Sequence, residues 1–132
     1  MFKTFLFIMI ISALALTACG GGGSTAGSPT GSDPAKVVEA YMTAKVKVDQ
    51  DTVRKLLCSE KEKDFQLEAT TFLGVTNPQI QGMQCTRVGQ EDKVKCEGKI
   101  VAQYGTEKNE FPLVTYRVVQ EDGEWKWCGE TQ

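Results

Sequence analysis

From Lys93 to Tyr104 apolar and polar residues alternate. Val94, Cys96, Ile100, Ala102 and Tyr104 fall on one side, and Lys93, Lys95, Glu97 and Lys99 on the other. That period of two describes a strand with one buried face and one wet face. The stretch Met83–Val88 precedes it across Gly89-Gln90-Glu91-Asp92, a hairpin turn. A strand from about Glu110 to Gln120 follows, carrying Phe111, Val114, Tyr116 and Val118. Glu121-Asp122-Gly123-Glu124 is the next hairpin turn, and Trp125-Lys126-Trp127-Cys128 the closing strand. The first half of the domain has another rhythm. Val37, Val38, Tyr41, Met42, Ala44 and Val48 recur at three-and-four spacing, opposite Lys36, Glu39 and Lys47. Asp33-Pro34 starts that helix, a capping carboxylate followed by a proline whose missing N–H costs nothing in the first turn. It runs to about residue 48. Asp49-Gln50-Asp51-Thr52 breaks it and caps a short second helix through Val53, Leu56 and Leu57. Glu60-Lys61-Glu62-Lys63 is solvated. Phe65, Leu67, Ala69, Phe72 and Leu73 suggest a third, weaker helix. Gly74 to Gly82, with Asn77-Pro78, reads as loop.

Three helical segments and then four antiparallel strands form an α+β pattern in which helices cover one sheet face. The 132-residue chain has room for one such domain, residues 34–132. The residues before it have no core-forming pattern of this kind. Lys3 and the apolar run Phe5 to Leu16 make a charged and then a hydrophobic segment, too short for a comfortable membrane span and suited to an export signal. Gly20 to Asp33 (GGGGSTAGSPTGSD) is a flexible tether.

Leu16-Thr17-Ala18-Cys19 closes the apolar run and resembles the lipobox of bacterial lipoproteins. The resemblance implies a signal peptide over residues 1–18, cleavage before Cys19, and lipid, palmitate included, on that cysteine. Residues 19–33 are then the lipidated cysteine and its tether. The alternative is an ordinary secretory cleavage at Ala13-Leu14-Ala15, which leaves Cys19 a stray thiol. In lipoproteins of Gram-negative bacteria, aspartate after the cysteine favours inner-membrane retention. Gly20 therefore points to the outer membrane if the source has one. In either envelope the expected location is extracytoplasmic, lipid-anchored on the outer side of the cytoplasmic membrane or beyond it.

The chain has five cysteines. Lipidation of Cys19 accounts for the odd one. In an oxidising compartment the other four form disulfides, the alternative being buried free thiols. A hairpin with Gln90-Glu91 at its tip sets Cys85 directly opposite Cys96, at disulfide range, although a one-residue slip separates them. Cys58–Cys128 follows by elimination and ties the helices to the last strand.

Pro34-Ala35-Lys36-Val37-Val38-Glu39-Ala40-Tyr41, the break at Asp49–Asp51, Leu56-Leu57-Cys58 and the closing Asp122-Gly123-Glu124-Trp125-Lys126-Trp127 resemble, over roughly residues 33–130, the nuclear transport factor 2-like or cystatin-like superfamily. The nearest likeness is to its small lipid-anchored members of unknown function. That resemblance implies a curved sheet wrapped on the helices, a cone-shaped cavity and frequent dimers. Enzymes of that superfamily, isomerases and dehydratases, use Asp, His and Tyr in the cavity.

This chain has no histidine, which removes the commonest general base and metal ligand. Cys58, Cys85, Cys96 and Cys128 include no Cys-x-x-Cys pair, and no acidic spacing fits a calcium loop, so neither metal nor cofactor is expected. A net charge of −2 with interspersed signs gives no footprint for nucleic acid. Tyr41, Tyr104 and Tyr116 are candidates to line a pocket, but none has an evident acidic partner on its own strand face. Trp125 and Trp127 share a strand face. They form either the aromatic wall of a pocket or interface, or core packing against the first helix. Which of them, or Cys128, shares a face with Tyr116 depends on whether the last turn has two residues or a glycine bulge. The expected function is a non-enzymatic binding or interaction module displayed on the membrane, meeting an envelope protein or a small apolar ligand. The alternatives are a cavity enzyme of the isomerase or dehydratase type and an accessory domain that homodimerises.

Overall fold

A computed structural model describes residues 32–131. The expected export signal, Cys19 and nearly all of the expected tether lie outside the described residues. Helix α1 spans Pro34–Lys47, α2 Gln50–Leu56 and α3 Phe65–Thr70, with a short 3₁₀ helix over Ser59–Asp64. Asp33 caps α1, its Oδ1 accepting from the Ala35 N–H at 2.9 Å. Val48 ends the helix in the left-handed conformation, with φ of 58°. Asp49 caps α2 through the Thr52 N–H at 3.1 Å. α2 thus begins at the expected break, three residues before its first buried side chain, Val53.

Five strands follow, not the four expected: β1 Thr76–Arg87, β2 Lys93–Tyr104, β3 Glu107–Pro112, β4 Thr115–Glu121 and β5 Glu124–Glu130. All pairings between these strands are antiparallel, in the order β1-β2-β4-β5, with β3 also paired to β2. The extra strand arises inside the single strand expected over 110–120. Leu113 and Val114 break it, so β4 pairs with the first residues of β2 and β3 with the last. Leu113 and Val114 still bond to β2, through Gly98 C=O at 2.9 Å and Cys96 N–H at 3.0 Å.

The stretch Gly74–Gly82 is a second correction, because strand β1 already begins at Thr76. Asn77-Pro78 is a turn signal in isolation, but β1 is an edge strand, where a proline's missing donor costs no ladder bond. The irregularity is absorbed by register shifts between Thr76 and Gln79 and between Gln81 and Gln84. At the second shift Gly82 has φ of 65° and lies against Gly98, whose φ is 102°. A Cβ on Gly98 would stand 2.6 Å from the backbone of Gln81 and Gly82. Glycine is therefore required at Gly98, by both contact and conformation.

The core lies between the helices and one sheet face. Val37, Val38, Tyr41, Val53, Val94 and Val118 are among the largest of its fully buried side chains. α1 crosses the sheet, packing on β1, β2, β4 and β5. The disulfides are Cys85–Cys96 and Cys58–Cys128. Cys85 faces Cys96 in the ladder. Cys58 is further held by its N–H donating to Trp127 C=O at 2.9 Å, so residues 57–58 cover part of the outer edge of β5.

Candidate functional site

The last turn has two residues, Asp122 and Gly123, both with positive φ (52° and 79°), and Glu121 pairs with Glu124. This is the turn whose twist suits a hairpin. It sets Trp125 opposite Gln120 and Trp127 opposite Val118, so both indoles share the buried face of Val118 and Tyr116. A further shift before Tyr116, at Cys128-Gly129, lets Cys128 reach Cys58.

Trp127 is the centre of an aromatic group. Its ring stacks on Tyr41 of α1, with centroids 4.1 Å apart and planes 10° from parallel. Tyr116 lies tilted 6.3 Å away. The Lys45 ammonium sits 5.9 Å from the indole centroid. Trp127 Nε1 is buried and has no hydrogen-bond partner among the described residues. Stacking therefore positions this ring, as expected of core packing against the first helix.

Tyr41 donates its hydroxyl to Glu68 of α3 at 2.9 Å, and Lys45 donates to the same carboxylate oxygen at 2.6 Å. Lys45 and Glu68 are each largely buried, with under a fifth of the side chain exposed. Burial first, and then the charge and hydrogen bond of Glu68, push the Tyr41 hydroxyl far above its ordinary range. Burial also raises Tyr116, whose oxygen accepts from the Val114 N–H at 3.4 Å. Tyr41 and Lys45 are four residues apart and share a helix face. Their shared acceptor is on another helix, so no local pattern announces Glu68.

Beside this group is a groove of about 170 Å³. Met42, Phe72, Ile100, Phe111 and Leu113 make its apolar walls, and Lys45, Tyr116 and Glu130 its polar groups. A groove of about 350 Å³ runs between α1 and β1, lined by Thr43, Val46, Lys47, Pro78, Gln79 and Ile80. None of the aromatic candidates reaches it.

The fold thus brings Tyr41, Tyr116 and Trp127 together and leaves two candidates apart. Tyr104 is exposed and meets Phe111 edge-on at 6.3 Å on the β2–β3 hairpin. Trp125 is covered by the Arg87 guanidinium, 4.8 Å from its centroid. Phe72 and Phe111 have visible apolar character in the sequence, but which face they share is decided by tertiary packing. Among the described residues no group of His, Cys, Asp or Glu could hold a metal ion, and no helix is long and apolar enough to cross a membrane. No family model matches this chain, and no curated protein matches it either.

Proposed function

We propose that this chain is a non-enzymatic, extracytoplasmic binding module, anchored by lipid on Cys19, that receives an apolar side chain of an envelope protein in the groove between α1, α3 and the β2–β3–β4 sheet. The observation that carries the reading is the groove itself, with apolar walls from Met42, Phe72, Ile100, Phe111 and Leu113 and polar groups from Lys45, Tyr116 and Glu130. About 170 Å³ is below the ~300–1,000 Å³ of sites that enclose a drug-sized ligand. It suits one side chain, with Phe111 already 43% exposed at its rim. The polar cluster beneath is internally committed, because the Glu68 oxygen that accepts from Tyr41 also accepts from Lys45. The two disulfides support an oxidising location. The order of helices, then antiparallel strands, supports the proposed kinship with the nuclear transport factor 2-like or cystatin-like superfamily.

Titration with N-acetyl-phenylalaninamide and N-acetyl-leucinamide, followed by NMR, tests the groove. Shifts are expected at Met42, Ile100 and Phe111 and should vanish in Phe111→Asp. Shifts scattered over the surface, or unchanged in that variant, would reject the site. The anchor is tested separately by labelled palmitate, which Cys19→Ala should fail to incorporate.

A further inference from the structure

A sheet edge with unpaired amide groups invites another strand, and proteins usually obstruct such edges. Two of the free edges here are obstructed. β1 carries Asn77-Pro78 and two register shifts, and β5 is partly covered by Leu57 and Cys58. The outer edge of β3 is different. Among the described residues β3 pairs with β2 alone, through six consecutive residues without a register shift. All of them except Asn109 are exposed.

Leu113 donates to Gly98 C=O, so by antiparallel alternation Phe111, Asn109 and Glu107 turn their amide groups to β2. Lys108, Glu110 and Pro112 turn theirs to the open edge. A second copy related by a two-fold axis therefore has three bonded registers near the middle of β3. Centred on Lys108, the pairing sets lysine against lysine. Centred on Glu110, it sets glutamate against glutamate. Centred on Asn109, it sets Lys108 of each copy opposite Glu110 of the other, twice by symmetry. Opposite charges across a pair stabilise it and like charges destabilise it. Proline at Pro112, without an N–H, then falls opposite Thr106, outside the central bonds. Within one chain Lys108 and Glu110 lie on the same strand face 3.7 Å apart and remain well exposed, at 65% and 44%.

We propose that the β3 edge pairs with β3 of a second copy of this chain, antiparallel and centred on Asn109, with reciprocal Lys108–Glu110 contacts fixing the register. The short edge makes the association weak, below the size of standard stable interfaces. It does not depend on what fills the groove.

The test uses the full chain in mild detergent with Asn109→Cys, because two such residues meet across the axis as a non-bonded pair at disulfide range. The parent chain without this substitution measures any cross-linking by its own cysteines. Under mild oxidation Asn109→Cys should give a disulfide dimer above that background. Adding Lys108→Glu, or Glu110→Lys, should reduce the cross-linking rate roughly tenfold or more. Mixing the two charge variants should restore it as a heterodimer, since both pairs of positions 108 and 110 across the axis are then opposite in charge again. A dimer that forms equally fast in the Lys108→Glu background overturns the proposal, as does the absence of a dimer, or a mixture that does not recover.

Discussion

Both sides of the sheet are closed by a disulfide, over very different lengths of chain. Cys85 and Cys96 are 11 residues apart and join neighbouring strands of one hairpin, whereas Cys58 and Cys128 are 70 apart and join the helical half to β5. The surroundings differ to match. The β1 side has irregular pairing, with Asn77, Gly82 and Gly98 all at positive φ. The β5 side carries Trp127, stacked on Tyr41 of α1. One bond reinforces a hairpin that local sequence already specifies. The other holds together elements that have no reason to meet until the core forms. Cross-links restrict the unfolded chain more as the loop they close lengthens, so the two bonds should not count equally.

The largest effect is expected from Cys58→Ser with Cys128→Ser. Closing a loop of 70 residues contributes about 4 kcal/mol by chain entropy. Urea unfolding should show that loss, together with altered Trp127 fluorescence as α1 loosens from β5. Cys85→Ser with Cys96→Ser should cost about 3 kcal/mol, for a loop of 11. Its faster hydrogen exchange should be confined to β1 and β2. If the local pair proves the costlier to remove, the contrast between the two sides is wrong. Gly98→Ala should cost about 2 kcal/mol from strain and overpacking, because its Cβ would meet backbone at 2.6 Å. Its exchange pattern should match loss of the local disulfide rather than the long-range one.

The smallest effect is expected from Tyr41→Phe, about 1 kcal/mol at neutral pH from one hydrogen bond. Its pH dependence sharpens the comparison. Burial and Glu68 hold the folded Tyr41 hydroxyl far above the ordinary tyrosine range. The unfolded chain releases that proton near pH ~10 while the folded one keeps it, so stability falls as pH rises beyond that point. Stability measured from pH 8 to 11 should therefore fall more steeply in the native chain than in Tyr41→Phe. Parallel curves would show that Tyr41 is not the buried group responsible.

Elements with purely local causes were legible residue by residue. The alternation of Val94, Cys96 and Ile100 against Lys93, Lys95 and Glu97 marks β2 from Lys93 to Tyr104, as observed. Asp33-Pro34 opens α1 and Asp122-Gly123 turns the last hairpin. The hairpin register brought Cys85 opposite Cys96. Asn77-Pro78 misled, because its turn preference is overruled by an edge position that a single stretch of sequence does not reveal. The break at Leu113-Val114 was equally hidden, since β2 must serve β3 along one half and β4 along the other.

Of the candidate site, packing of the closing tryptophans against the first helix was one of two readings the sequence left open, but that Trp127 is the indole that meets both Tyr41 and Tyr116 was not visible. Glu68 had no signal, being 27 residues from Tyr41 and 23 from Lys45.

The sequence by itself determined that helices precede an antiparallel sheet, the buried faces of α1 and of most of β2, the caps of α1 and α2 and the positions of the two hairpin turns. These depend on neighbours within a few positions, through side-chain period and backbone preference. Only the tertiary structure decided the fifth strand, the Trp127 stack, the shared Glu68 acceptor and the open edge of β3. Those depend on which distant surfaces become adjacent when the core closes, and a linear pattern does not encode that adjacency one segment at a time.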